Sequence, residues 1–159
     1  MEPMSLQEAI KQSYLTQGLA ETDLALLYEI ATLQHYPAGT AILKQFERER
    51  DLLILASGRA HIVTVLEEPI GIVKQGMPIG EVSFLDGRPR SVSVVAEVDC
   101  SAVVLPAERL MKILNDNPGV ANAILWNVSR VLCMRLRAAN NNIAALLAID
   151  ESSAAPVGG

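Results

Sequence analysis

The sequence predicts an α+β domain in which an antiparallel sandwich or barrel lies between helical ends. The prediction rests on where the hydrophobic period changes. Apolar residues recur at helical spacing up to Ala31, short strand-like runs bounded by turn residues fill the stretch from Ala41 to Leu105, and helical spacing returns after Pro106. At 159 residues the chain has the size of one compact domain. Half of it (50%) is hydrophobic, enough for a real core and too much for global disorder.

Each element has its own signal. Ser5 with Glu8 makes a capping box, and Leu6, Ile10 and Tyr14 follow on one helical face. Thr22 reads as a second N-cap with Asp23 in the first turn, and Leu24, Leu27 and Ala31 give a stripe that ends before His35. Pro37-Ala38-Gly39 is a turn, after which the runs Ala41–Lys44, Leu52–Ala56, Arg59–Leu66, Ile70–Lys74, Ser91–Ala96 and Ser101–Leu105 read as strands. Ser57-Gly58 suits a tight hairpin between two of them. Pro106 opens a helix with Leu110, Ile113 and Leu114 on its buried face. Asn115-Asp116-Asn117-Pro118 breaks it and starts a longer helix reaching toward Ile149. Along that helix Leu132, Leu136, Ala139, Ile143 and Leu146 alternate steps of four and three, an a/d seam that serves either self-association or packing on the chain's own barrel. The expected division is a domain over 1–150, with 19–105 as helix plus β core and 106–150 as C-terminal helices. Residues 151–159 then form a flexible tail or linker stub.

Composition narrows the function classes. Thirteen Lys+Arg against eighteen Asp+Glu leave a net charge of −5, which argues against a whole-surface nucleic-acid binder. Aromatic residues at 4% are sparse for a base-stacking platform. Cys100 and Cys133 lie far apart without CxxC spacing and read as reduced thiols in a cytoplasmic protein. The longest apolar runs, such as Ile143–Ile149, fall well below the ~20 residues of a membrane span, and no secretory signal opens the chain. His35 and His61 stand alone as strand histidines, so neither a metal centre nor a cupin-type metalloenzyme is expected, and no serine or cysteine nucleophile motif suggests an enzyme. Arg130, Arg135 and Arg137 face no acidic residue between Pro118 and Ile149 and read as a solvated basic face.

The stretch that carries chemistry is Ile79-Gly80-Glu81-Val82-Ser83-Phe84-Leu85-Asp86-Gly87-Arg88-Pro89-Arg90-Ser91. After Gly80 it has about one turn of potential helix, whose leading N–H groups suit an anion. Arg90 offers a permanently charged fork matched to phosphate, and Ser91 a hydroxyl beside it. Glu81 would repel a bare phosphate but suits a ligand that also presents hydroxyl donors, as a ribose does. Together they describe a nucleotide of low charge. Taken alone, Glu81 and Arg90 also suit a structural ion pair.

This segment resembles the phosphate-binding cassette of cyclic-nucleotide-binding domains, in their bacterial activator-like form. Gly80-Glu81, Arg90 nine positions after Glu81, and Pro89-Arg90-Ser91 followed by Val92 and Val94 all fit. The likeness extends from Leu19 to about Asp150, through Tyr36-Pro37-Ala38-Gly39 and Ser57-Gly58, and ends on a helix similar to the activators' dimerisation helix. It implies a β-roll (jelly-roll) barrel flanked by N-terminal helices and two C-terminal helices, the last one long. It implies Glu81 on the ribose 2′-hydroxyl, Arg90 on the cyclic phosphate, and Gly80, Ser91 and the backbone N–H groups of Val82 and Ser83 completing the cradle. Ile79 and Ile72 would wall the base. Asn140 would meet the adenine, while Ala139 departs from the family's polar pattern there. Phe46-Glu47 departs as well, since many members carry Gly-Glu at this place.

The expected function is a cyclic-nucleotide sensor, cyclic AMP more than cyclic GMP, that repositions a dimerisation helix and takes no other cofactor. The expected partners are the nucleotide, a second copy of the chain and an effector protein, without direct nucleic-acid or membrane contact. Residues 151–159 are too few for the helix-turn-helix that follows this helix in the activators. The alternative is a dimerisation scaffold that keeps the fold with an idle site.

Overall fold

A computed structural model describes residues 3–153, with the side chains of 151–153 left undescribed. The expected tail thus overlaps a helix that runs on to Ser153, and its residues 154–159 lie outside the described residues. The chain divides into two compact units, Met1–Val128 and Ser129–Gly159.

In the first unit α1 (Leu6–Gln12) carries the expected capping box: Ser5 N donates to Glu8 Oε2 at 2.9 Å and Glu8 N to Ser5 Oγ at 3.3 Å. After a short 3-10 turn, α2 spans Glu21–Ile30. Its cap is Ala20 without a side-chain bond, so Thr22 lies inside the helix rather than at its start. Eight strands follow: β1 (Thr32–Tyr36), β2 (Ala41–Leu43), β3 (Leu52–Ser57), β4 (Ala60–Val63), β5 (Pro69–Val73), β6 (Pro78–Ile79), β7 (Ser93–Ala96) and β8 (Cys100–Leu105). α3 (Glu81–Asp86) interrupts them after β6, and α4 (Ala107–Asp116) and α5 (Pro118–Ser153) complete the chain. The expected α+β β-roll with a long last helix is what forms.

Two antiparallel four-stranded sheets, ordered β1-β8-β3-β6 and β2-β7-β4-β5, face each other across one core. Leu53, Leu55, Ala102 and Val104 meet Ala60, Val73, Val94 and Ala96 there. The opposite face of β3 and β8 is buried too, and α1 packs against both strands. Burial on both sides explains why Leu52–Ala56 and Cys100–Leu105 read as unbroken apolar runs.

Ser57-Gly58 is not a hairpin. It is a corner where the chain leaves one sheet for the other, since β3 pairs with β6 and β8 while β4 pairs with β5 and β7. Gly58 has φ +88°, and a Cβ there would lie 2.6 Å from Asp99 O and 2.7 Å from Cys100 Sγ. Both cysteines are free, Cys100 buried and Cys133 exposed.

α5 begins in the first unit, where buried Asn127 donates to Leu15 O and Gln17 O, both at 2.9 Å. In the second unit it is a helix whose Leu136, Ile143, Leu146 and Leu147 are exposed. No helix among the described residues is long and apolar enough to cross a membrane.

Candidate functional site

The site is built where β6, α3 and the segment before β7 meet the loop between β2 and β3. Gly80 turns the chain out of β6 with φ +83° and caps α3. A Cβ at Gly80 would sit 2.6 Å from Arg90 Nη1 and 3.1 Å from Asp51 O, so both conformation and space require glycine. The first-turn amides of α3, on Glu81, Val82 and Ser83, have no acceptor within the helix.

Arg90 is 3% exposed, a guanidinium almost wholly inside the protein. Its Nη1 donates to Ser83 Oγ at 2.6 Å and to Gly80 O at 3.1 Å, and its Nη2 to Asp51 O at 2.8 Å. The buried Nε has no hydrogen-bond partner among the described residues. Its backbone is pinned as well, with Arg90 N donating to Glu47 O at 2.8 Å and Phe46 N to Arg90 O at 2.9 Å. Burial pushes the guanidinium below its ordinary pKa, and the carboxylates of Asp51, Glu49, Glu47 and Glu81 pull it back up. An arginine stays charged through such a shift, so the site holds a fixed cation in an acidic surround. Glu81, 1% exposed, is buried at the first position of α3.

The structure therefore brings together Gly80, Glu81, Ser83 and Arg90 and presents the Val82 amide on the same turn. Ser91 is exposed beside Arg90. Asn140 is exposed on the helix of the second unit. Ile79 is buried in the core, but Ile72 is 48% exposed. Its register partner is His61, on the face of the sheet opposite to Ile62 and the core, so Ile72 is no wall of a pocket inside the roll. Asp51 is a residue that sequence reasoning missed. Its carbonyl oxygen takes the Arg90 fork while its Oδ1 accepts from Ala107 N at 2.8 Å, tying the site to the start of α4.

Residues 33–117 match the model of the cyclic nucleotide-binding domain. That span is more than half of the chain and contains the whole Gly80–Arg90 arrangement. The chain belongs to the cyclic nucleotide-binding domain family. Within this family it is 33% identical over 149 residues to the cyclic AMP receptor protein of Thermus thermophilus, covering 90% of this chain and 66% of that one. It is also 28% identical over 129 residues to glutaminase 1 of Bradyrhizobium diazoefficiens, covering 81% of this chain and 21% of the relative. The chain thus spans about a fifth of the glutaminase and just under two thirds of the receptor protein. A cyclic nucleotide-binding domain from Methylobacillus flagellatus superposes with a TM-score of 0.76 at 24% identity, over 88% of this chain and 81% of that one, a likeness of fold.

Proposed function

We propose that this domain is a cyclic-nucleotide sensor without catalysis of its own, preferring cyclic AMP. The observation that carries the reading is the buried Arg90 fork, locked to Gly80 O, Ser83 Oγ and Asp51 O beside the first-turn amides of Val82 and Ser83. A cyclic phosphate brings one negative charge, which one arginine balances. The carboxylates around Arg90 work against more highly charged phosphates, so the site favours a cyclic diester over a nucleoside mono- or triphosphate. Glu81 accepts from the ribose hydroxyl, and Ser91 and the Val82 and Ser83 amides complete the phosphate shell. Two relatives support the ligand class: the Thermus protein is named for cyclic AMP, and a cyclic AMP-dependent protein kinase regulatory subunit of Pyricularia oryzae is 28% identical over 82 residues.

Ribose and phosphate are common to cyclic AMP and cyclic GMP, so the base must decide between them. Asn140 carries both a donor and an acceptor and suits the amino edge of adenine. In this reading the nucleotide biases the placement of the C-terminal helix, to the extent that it binds the two placements with different affinity. Titration calorimetry with cyclic AMP, cyclic GMP and 5′-AMP tests the proposal. Cyclic AMP is expected to bind about tenfold more tightly than cyclic GMP, the scale of one net hydrogen bond, and 5′-AMP more weakly than either. Arg90→Ala should stay folded and lose at least thirtyfold, and Asn140→Ala should flatten the base preference. A folded Arg90→Ala protein that binds within threefold of the parent, or a parent that binds no cyclic nucleotide, overturns the reading in favour of a scaffold with an idle site.

A further inference from the structure

The outer face of the sheet β2-β7-β4-β5 carries a cleft of about 620 Å³ that includes no residue of 80–90 and meets that arrangement through Phe46, whose backbone N donates to Arg90 O. Its floor follows from strand alternation. Ala60, Ile62, Val94 and Ala96 face the core, so His61 and Val63 of β4 and Ser93 and Val95 of β7 face outward. The register sets His61 opposite Val95 and Val63 opposite Ser93. Gln45 and Phe46 form one wall, and the β4–β5 turn with Glu67 forms the other.

Independent irregularities of the molecule coincide at this cleft. Among the described residues the left-handed backbone is adopted by two side-chain-bearing residues, Phe46 at φ 72° and Glu67 at φ 58°, and both line it. Such strain persists only where the surroundings impose it, and it gathers at binding sites. Two polar atoms that are buried without a hydrogen-bond partner, Gln45 Oε1 and His61 Nδ1, belong to residues of the same lining. His61 Nε2 lies 3.0 Å from Glu97 Oε2, and a carboxylate only accepts, so Nε2 is the donor of this contact. The Ser93 hydroxyl already accepts from Gln45 N at 2.9 Å. The residues that line the cleft thus hold one unmet acceptor, Gln45 Oε1, and one ring nitrogen without a partner, His61 Nδ1, beside an apolar bed of Ala41, Val63, Val95 and the largely exposed ring of Phe46. Its lining holds Glu67 and no lysine or arginine, which disfavours an anion.

We propose that this cleft is a second small-molecule site, taking an uncharged planar aromatic or heteroaromatic compound that carries N–H or O–H donors. An apolar bed with a few converging polar groups is the usual make-up of such sites, and a ligand donor that reaches Gln45 Oε1 would satisfy an acceptor that is costly to leave unmet.

The probe is indole, compared with 1-methylindole, which keeps the shape and loses the donor, and indole-3-carboxylate, which adds an anion. Titrations of the isotopically labelled full chain, without nucleotide, are followed by amide shifts. Indole should give saturable shifts centred on Gln45, Phe46, His61 and Ser93, and the other two compounds should bind at least fivefold more weakly. Phe46→Gly suits the left-handed backbone and should stay folded while weakening indole at least fivefold. Gln45→Leu, which removes the unmet acceptor, should bring indole down to the level of 1-methylindole. Arg90→Ala, in the nucleotide site, should leave the indole titration unchanged, so this site and the nucleotide reading stand or fall separately. Absence of saturable shifts, equal binding of indole and 1-methylindole, tighter binding of the carboxylate, or loss of the shifts in Arg90→Ala would each overturn the proposal.

Discussion

At the scale of single residues, the site depends on one glycine as much as on its arginine. A methyl at Gly80 meets two obstacles, a φ of +83° that costs an L-residue about 1–2 kcal/mol and a contact of 2.6 Å with Arg90 Nη1. The backbone cannot yield without moving Asp51 O, which is also within 3.1 Å, so the guanidinium has to move. Gly80→Ala is therefore expected to lower stability by about 1–2 kcal/mol in urea denaturation and to weaken cyclic-nucleotide binding at least tenfold. Arg90→Lys separates charge from shape. A lysine keeps the positive charge but has no planar fork to bridge Ser83 Oγ, Gly80 O and Asp51 O. It should remain folded and still lose at least tenfold in affinity by calorimetry; parent-like affinity would show that net charge alone suffices. That Gly80, Glu81 and Arg90 come together was legible in the sequence, because a glycine, a carboxylate and a guanidinium stand there at fixed spacing. Asp51 was not, because its contribution to Arg90 is a carbonyl oxygen that every residue possesses.

At the scale of elements, legibility followed burial. β3 and β8, buried on both faces, were plain as continuous apolar runs. β1 was not delimited, although His35 read as a strand histidine, because it is an edge strand whose Thr32, Gln34 and His35 are exposed, leaving no apolar alternation to read. β6 is only two residues long. The corner at Gly58 carries the same dipeptide chemistry as a hairpin turn, and only pairing between distant strands tells them apart. The tie between the start of α5 and the N-terminal segment was equally hidden, since Asn127 reaches acceptors at Leu15 and Gln17 more than a hundred positions away. Asn127→Leu would keep the volume and strand both carbonyl oxygens in a buried setting. It should cost about 1–3 kcal/mol by urea denaturation. A change below about 0.5 kcal/mol, the range of an ordinary surface substitution, would mean that the two bonds add nothing to the stability of the first unit.

At the scale of the whole molecule, the exposed face of α5 is expected to pair with a second copy of the chain. Leu136, Ile143 and Leu146 are 63%, 56% and 67% exposed, and with Leu132 and Ala139 they keep the four-three spacing of a helix pair. A monomer rarely leaves so regular an apolar stripe to water. Pairing two copies in parallel lays each stripe against its mate, and Arg130 and Arg137 remain solvated since both are exposed. Each buried leucine-sized side chain contributes about 1.5–3 kcal/mol, so a few per copy suffice for a micromolar dimer after the entropy lost on association. Sedimentation equilibrium of the full chain at tens of micromolar should therefore give a dimer. Leu136→Glu and Ile143→Glu place like charges at the centre of the seam, each facing its own copy in the mate, so either change should give a folded monomer. If nucleotide shifts the placement of this helix, the dimer's dissociation constant must change on adding cyclic AMP, because ligand and partner then bias the same equilibrium. A monomer with and without nucleotide would assign the stripe to another occupant, and a dimer whose strength ignores the nucleotide would detach assembly from sensing.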